Sequence, residues 1–409
     1  MSKRWNRMET WLTLIVLGAG LLIMAVLGVW GYMSATTTLL HPEAGGVSSV
    51  ARAAPPPRWA GTVEQGRQLA RAALPAQNLP GLSVAVGVGG DIVWAEGFGW
   101  ASLEKRTPVA PETRFRIGTA SIALTSAAVG LLLENGRLKL DDEIQTYVPA
   151  FPRKQWPVTL RQLMGHVAGV RNDGGDEGPL FSRHCERPVE AFESFADRPL
   201  LFEPGTAHRH SSYGWIVVSA AVEAAADEPF VAFMRKQVFE PLGMDDTRAD
   251  AITESAVVRA TPYFPRFAAD PRYGPDPMRD IDLSCYAGSS VFVSTPSDLV
   301  RFGLAMGSGA LLQPATLQLL QTSQRLASGE ETGYGLGWDL ETVRRAGEQA
   351  DAVGHDGELL GGKVASLMAF REHGLVVAVM SNISYADTSG IASSVAQAFA
   401  EEAARPFPR

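Results

Sequence analysis

The hydrophobic pattern changes character along this chain, and its first block is the plainest. From Trp11 to Met33 no side chain is charged. A helix of that length, rising about 1.5 Å per residue, spans the roughly 30 Å hydrocarbon core of a bilayer. Trp11, Trp30 and Tyr32 lie near its ends, where amphipathic rings favour the interface. Lys3, Arg4 and Arg7 precede it, so residues 1–10 are expected in the cytoplasm and everything after the span outside it, periplasmic or extracellular. Residues 11–33 are thus read as an uncleaved signal-anchor holding the protein to a membrane. A cleaved signal peptide is the competing reading. Its apolar region is usually shorter, about 7–15 residues, but the small Ser34 and Ala35 leave cleavage open. Residues 34–60 have little periodicity. Thr36-Thr37-Thr38, Gly45-Gly46 and Pro55-Pro56-Pro57 mark a linker that holds a domain, residues 61–409, off the surface.

Within that domain the pattern predicts a helix over 62–75, then strands over 82–88 and 91–98. Gly89-Gly90 between the strands is a two-residue hairpin signal. An Ala-, Leu- and Val-rich helix is predicted over 119–135, stopped by Asn135-Gly136. Residues from about 140 to 325 read as a loop-rich, mostly helical insert, with helices near 215–227 and 229–240. The β pattern returns in Tyr334–Trp338, Gly362–Arg371 and Gly374–Met380, and an alanine-rich helix over 388–404 closes the chain. Strands at both ends of the domain imply one sheet built from the two termini, an α+β arrangement.

Composition narrows the chemistry. The chain has 409 residues, 46% of them hydrophobic, and a net charge of -8 with no block of five basic residues. A nucleic-acid partner is not expected, because phosphate binding needs clustered basic side chains. Cys185 and Cys285 fit no metal spacing and are expected as two unpaired thiols. Outside the cytoplasm a disulfide stays open, closing a loop of about 100 residues and worth up to ~4–5 kcal/mol. His208 and His210 have no acidic or cysteine partner nearby in sequence, so no metal is expected, and no cofactor either. Ser102-Leu103-Glu104-Lys105 has the literal spacing of a Ser–Lys catalytic pair, but it lies in a charged turn before Pro108 and is read as chance.

The segment Phe115-Arg116-Ile117-Gly118-Thr119-Ala120-Ser121-Ile122-Ala123-Leu124-Thr125 resembles the S-x-x-K region of the serine β-lactamase-like hydrolases. That family comprises class C β-lactamases, D-alanyl-D-alanine carboxypeptidases and related esterases, and its pattern there is F-x-I-G-S-x-S-K-x-x-T. Further segments are similar in the family's order. They are Leu160–Val170, Phe202-Glu203-Pro204-Gly205-Thr206, Ala287–Ser290 with Val293–Leu299, and Gly354-His355-Asp356-Gly357. The resemblance covers residues 62–404. It implies the β-lactamase-like fold, an antiparallel sheet flanked by helices plus an all-helical insert, with the active site between them.

What the resemblance implies for chemistry is altered by the residues present. Acyl transfer needs a nucleophile, a base and oxyanion donors. Thr119 stands at the serine position and keeps a hydroxyl, though its methyl stiffens χ1. Ile122 stands at the lysine position and accepts no proton. His210-Ser211-Ser212 align with the Y-x-N motif, so His210 replaces the tyrosine and Ser212 the asparagine. His355 and Gly357 keep the third motif, and the N–H of Glu358 is the expected oxyanion donor. Asp356 and Glu358 would repel a substrate carboxylate. His166 is expected to be structural, and Ser121 to face away from Thr119.

Three readings follow. The first is a catalytically impaired member binding a peptidoglycan fragment or a protein in the old cleft. The second is an active hydrolase of small esters or peptides using Thr119 with His210 as base and Asp356 orienting the imidazole. The third is a structural partner of membrane machinery.

Overall fold

A computed structural model describes residues 2–172, 179–250, 259–279, 281–345, 348–371 and 374–403. The chain opens on helix α1 (Ser2–Ala35). Its apolar part, Trp11–Ala35, is long enough to cross a membrane, and none of it is buried by protein. A short strand β1 (Ser49–Ala51) leads to α2 (Ala60–Gln77). Next come β2 (Gly81–Val88), β3 (Asp91–Ser102) and β4 (Thr107–Pro108), which folds back on β3. Gly89 and Gly90 turn the hairpin with φ of +62° and +102°, the positive values a type I′ turn requires. β5 (Phe115–Arg116) passes through one tight turn, Gly118–Ala120, into α3 (Ser121–Glu134).

The insert holds α4 (Leu160–Met164), α5 (Ser212–Ala226) and α6 (Phe230–Met234). It continues with the small strands β6 (Arg248–Ala249), β7 (Tyr263–Pro265), β8 (Pro275–Pro277) and β9 (Phe292–Ser294). Helices α7 (Pro296–Ser308) and α8 (Pro314–Leu320) complete it. The chain then returns through β10 (Asp339–Arg345), β11 (Glu348–Leu359), β12 (Gly362–Phe370) and β13 (Leu375–Ser381) to α9 (Thr388–Ala403). The last expected residue of that helix, 404, lies outside the described residues.

The main sheet runs β1-β3-β2-β13-β12-β11-β10, antiparallel throughout. β2 pairs directly with β13, Leu82 opposite Ser381, so the first and last parts of the domain meet at the centre. This is the sheet from two termini that the sequence implied. Both faces are covered, so the central strands are apolar on both sides rather than alternating. Val84, Val86, Val377 and Val379 pack toward α2 and α9, where Phe399 stacks between Trp59 and Trp94 at 5.7 and 6.1 Å. Ala85, Leu367, Val376, Ala378 and Met380 join the larger core built with α3, α5 and α7. Each large ring buried this way contributes about 1.5–3 kcal/mol.

Four expectations need correcting. Tyr334–Trp338 is not a strand. Gly335 N–H donates to Trp338 O, a turn that stacks Trp338 on Phe302 at 5.8 Å. β10 and β11 escaped notice because their polar sequences, with few β-branched residues, give no alternation to read. The helix expected over 229–240 ends at Met234 and continues as a wider turn, Arg235–Phe239. Cys185 and Cys285 are not free thiols. They form a disulfide, with Cα atoms 4.9 Å apart, that ties a segment before α5 to the loop before β9.

The stretch expected as a loose linker is fastened to the domain. β1 pairs with β3, Ser49 opposite Phe98. His41, Val47 and Trp59 are buried. The Asn78 side chain accepts from Leu40 N–H at 2.9 Å and donates to Thr38 O at 3.1 Å.

Candidate active-site cleft

The turn that carries Thr119 lies directly against β11. A Cβ on Gly118, whose φ is +52°, would fall 2.1 Å from the Glu358 carbonyl oxygen, and one on Gly357 would fall 2.0 Å from that of Ile117. Only glycine at both places lets the backbones approach this closely. The β11–β12 ladder shifts register between Gly357 and Glu358 at the same level. Thr119, only 6% exposed, bridges the contact with its hydroxyl. It donates to Asp356 O at 3.1 Å and accepts from Glu358 N–H at 2.9 Å. Its hydrogen bonds among the described residues are therefore with backbone and none is with a histidine. One turn along, Ile122 is fully buried in the apolar core. Ser121 Oγ is buried with no hydrogen-bond partner among the described residues.

His355 projects from β11 beside this bridge. Its Nδ1 lies 2.6 Å from Asp356 O, and its Nε2 lies 2.9 Å from the Tyr334 hydroxyl. A carbonyl only accepts, so Nδ1 carries the proton and Nε2 accepts from Tyr334. Burial first, and then Asp339, push the Tyr334 pKa well above its usual value, keeping it a neutral donor. The Asp356 carbonyl thus receives His355 from one side and Thr119 from the other.

His210 sits across the cleft before α5. Its Nε2 lies 3.5 Å from the hydroxyl of Ser212, a long contact, and its ring centroid is 4.4 Å from that of His166. Burial first, and then the proximity of His355, lower its pKa to about 4. The residue is nevertheless exposed to solvent, which moderates this lowering. His166 is buried. Its Nδ1 accepts from Ser211 N–H at 3.1 Å, which leaves the proton on Nε2, a nitrogen with no hydrogen-bond partner among the described residues. Desolvation, then His210 and His355, hold its pKa well below 6.5. Ser212 is buried in the first turn of α5, which the Ser211 side chain caps by accepting from Gly214 N–H at 3.0 Å.

The structure does not assemble the triad of Thr119, His210 and Asp356. The Asp356 carboxylate turns to the other face of the sheet. There it accepts from Ser366 Oγ and pairs with Lys363 Nζ, both at 2.5 Å, and Lys363 reaches Ser389 on α9 at 2.8 Å. Alternation along a strand explains this, since successive side chains of β11 point to opposite faces and His355 already faces the cleft. Sequence reasoning missed Tyr334, Asp339 and the central place of His166. Asp339 accepts from Asp356 N–H at 3.0 Å and lies 3.9 Å from His355 Nδ1. The available signal was histidine content: of seven, His166, His208, His210 and His355 converge here. Among the described residues, no three His, Cys, Asp or Glu side chains are placed to hold a metal ion. A separate cavity of about 490 Å³ opens between α7, α8 and the sheet, lined by Leu304, Leu317, Trp338, Leu367 and Val376.

With this geometry in view, the comparisons are decisive on ancestry. Residues 60–401 match the sequence model of the Beta-lactamase family. The chain belongs to that family. Serine beta-lactamase-like protein LACTB, mitochondrial, of Mus musculus is 25% identical, over 91% of this chain and 86% of that protein. Penicillin-binding protein 4* of Bacillus subtilis (strain 168) is 25% identical, over 67% of this chain and 62% of that one. The octameric penicillin-binding protein homologue from Pyrococcus abyssi superposes with a TM-score of 0.68 at 22% identity, covering 81% of this chain and 76% of that one. As a Beta-lactamase family member the chain has the expected α+β fold, with the Gly118 turn meeting β11 between sheet and insert.

Proposed function

We propose that this chain is a membrane-anchored, exported family member that has given up serine–lysine acyl transfer. It uses the remaining cleft to bind a ligand, or to regulate, rather than to turn over a substrate. The observation that carries this reading is the state of the Thr119 hydroxyl. Both of its hydrogen bonds go to backbone groups of β11. The residue one turn on, where the family keeps a lysine, is the apolar Ile122. A hydroxyl with no base beside it is a weak nucleophile. The Glu358 N–H, the oxyanion donor of the resemblance, is already occupied by that hydroxyl.

The likeness to Penicillin-binding protein 4* supports a peptidoglycan fragment as one ligand class, beside a small ester or a protein. The apolar segment Trp11–Ala35 supports the anchor, and Lys3, Arg4 and Arg7 before it support a cytoplasmic N-terminus with the domain in the periplasm or outside the cell. The test is intact-mass analysis of the full chain in detergent after exposure to a fluorophosphonate and, separately, a β-lactam, beside a Thr119→Ala control. No adduct on folded protein is expected. An adduct that disappears in the control would overturn the reading.

The hydrolase alternative assigns His210 as the general base for Thr119. If an adduct forms, His210→Ala must abolish it for His210 to be that base.

A further inference from the structure

We propose that the loop Arg266–Tyr273, between β7 and β8, is a membrane-contact surface that stands the domain on the phospholipid headgroups around its own anchor. This rests on reading Trp11–Ala35 as a bilayer span. If that helix spans, its last turn marks the depth of the outer interface, and whatever touches that turn lies at the same depth. Phe267 does so: its ring meets that of Tyr32 edge-on, with centroids 6.2 Å apart. Tyr at a span's end sits at headgroup level, and Phe267 packed on it adds an apolar body to bury there.

The contact is braced. Arg266 donates to Thr36 O at 2.8 Å, and its guanidinium lies over the Phe267 ring, 5.0 Å from the centroid. Thr37 Oγ1 lies within hydrogen-bond distance of Met33 O at 2.8 Å and of Tyr273 O at 3.4 Å. Asn78 holds Leu40 N–H and Thr38 O and reaches Arg272 O at 3.4 Å. Within five residues of its end the helix is therefore clamped to this loop, with no slack for the domain to rise away from the bilayer.

The loop tip presents the exposed Ala268 and Ala269, small apolar groups suited to the interface. The loop carries Arg266 and Arg272 against Asp270, with Arg272 paired to Asp270 at 2.6 Å, so its formal charge of +1 suits zwitterionic headgroups and does not require an anionic lipid. The clamp also sets the height of the cleft. β2 starts at Gly81, three residues after Asn78, and pairs with the Ser381 end of β13. Asp356–Glu358 lie near the Leu359–Gly362 end of β11 and β12, the same end of the sheet. Thr119 is thus in the membrane-near half of the domain, and a ligand would be met close to the lipid surface.

Nitroxide labels on single introduced cysteines test this in the full chain in phosphatidylcholine vesicles, the native pair being closed as a disulfide. Leu22→Cys reports the span, Ala268→Cys the loop, and Asp91→Cys the opposite end of β2. Accessibility to oxygen and to a water-soluble nickel chelate gives the depth of each. The expected result is oxygen-rich Leu22, headgroup-depth Ala268 with nickel access several-fold below that of Asp91, and water-exposed Asp91. A bilayer-embedded Leu22 with Ala268 as nickel-accessible as Asp91 overturns the proposal and leaves the anchor standing. A water-exposed Leu22 overturns both.

Discussion

Replacing Thr119 by valine asks whether its hydroxyl now serves stability or still serves chemistry. Valine keeps the branched shape and removes both hydrogen bonds. Asp356 O keeps its bond from His355 Nδ1, but Glu358 N–H loses its bond to the hydroxyl at a half-buried contact beside the buried Thr119 side chain. An N–H left unpaired there costs about 1–3 kcal/mol. Thr119→Ser keeps the hydroxyl and loses one methyl, worth about 0.8 kcal/mol. The assay is urea unfolding of the full chain in detergent, reading the midpoint shift at unchanged slope. We expect valine to destabilise by about 1–3 kcal/mol and serine by less than valine. The opposite sign is informative, because residues held for catalysis are commonly suboptimal for stability and their removal stabilises. A Thr119→Val protein as stable as the parent, or more so, would refute the argument that this hydroxyl has become part of the scaffold.

Other perturbations have definite expectations. Tyr334→Phe removes the donor to His355 Nε2 and should cost about 1–2 kcal/mol in the same assay. Cys185→Ser with Cys285→Ser opens a loop of 100 residues and should cost up to about 4–5 kcal/mol, read as a lowered melting temperature. For pH, the folded pKa of His166 lies below its unfolded value, so the unfolded chain binds the proton first and stability falls as pH drops below about 6.5. That one group removes up to about 1.4 kcal/mol per pH unit until its folded pKa is reached; unfolding curves at pH 7 and 5 should show the loss, and His166→Gln should flatten it. Gly307→Ala, in a helix with nothing within 4 Å of the new methyl, should stabilise by about 0.5–1 kcal/mol.

The sheet was legible where its strands are apolar on both faces. Val84 and Val377 sit in runs that read as buried strands, and Gly89-Gly90 gave the hairpin. β11, which carries the chemistry, was legible only through resemblance, since Glu348 to Leu359 is a polar strand beside the edge with no hydrophobic period. Thr119 and Ile122 were singled out through the resemblance, and the structure puts the first in the turn Gly118–Ala120 and the second in the opening turn of α3. The partners of His355 did not, because Tyr334 and Asp339 reach it through a turn whose geometry depends on packing around Trp338. Asp356 shows the limit most clearly. Its neighbour His355 faces the cleft, and strand alternation alone sends the carboxylate to Lys363.

The paired glycines at 118 and 357 have a consequence for how such a cleft persists. They form the joint where β11 of the sheet meets the turn into α3, and the joint is made of backbone. A chain that stops catalysing still has to fold, and folding alone demands that these two strands of backbone meet. The shape of an acyl-transfer site can therefore outlive its reaction. On the proposed function, what is left here is a ready-made socket, held open by architecture and available to whatever ligand the altered side chains around it admit.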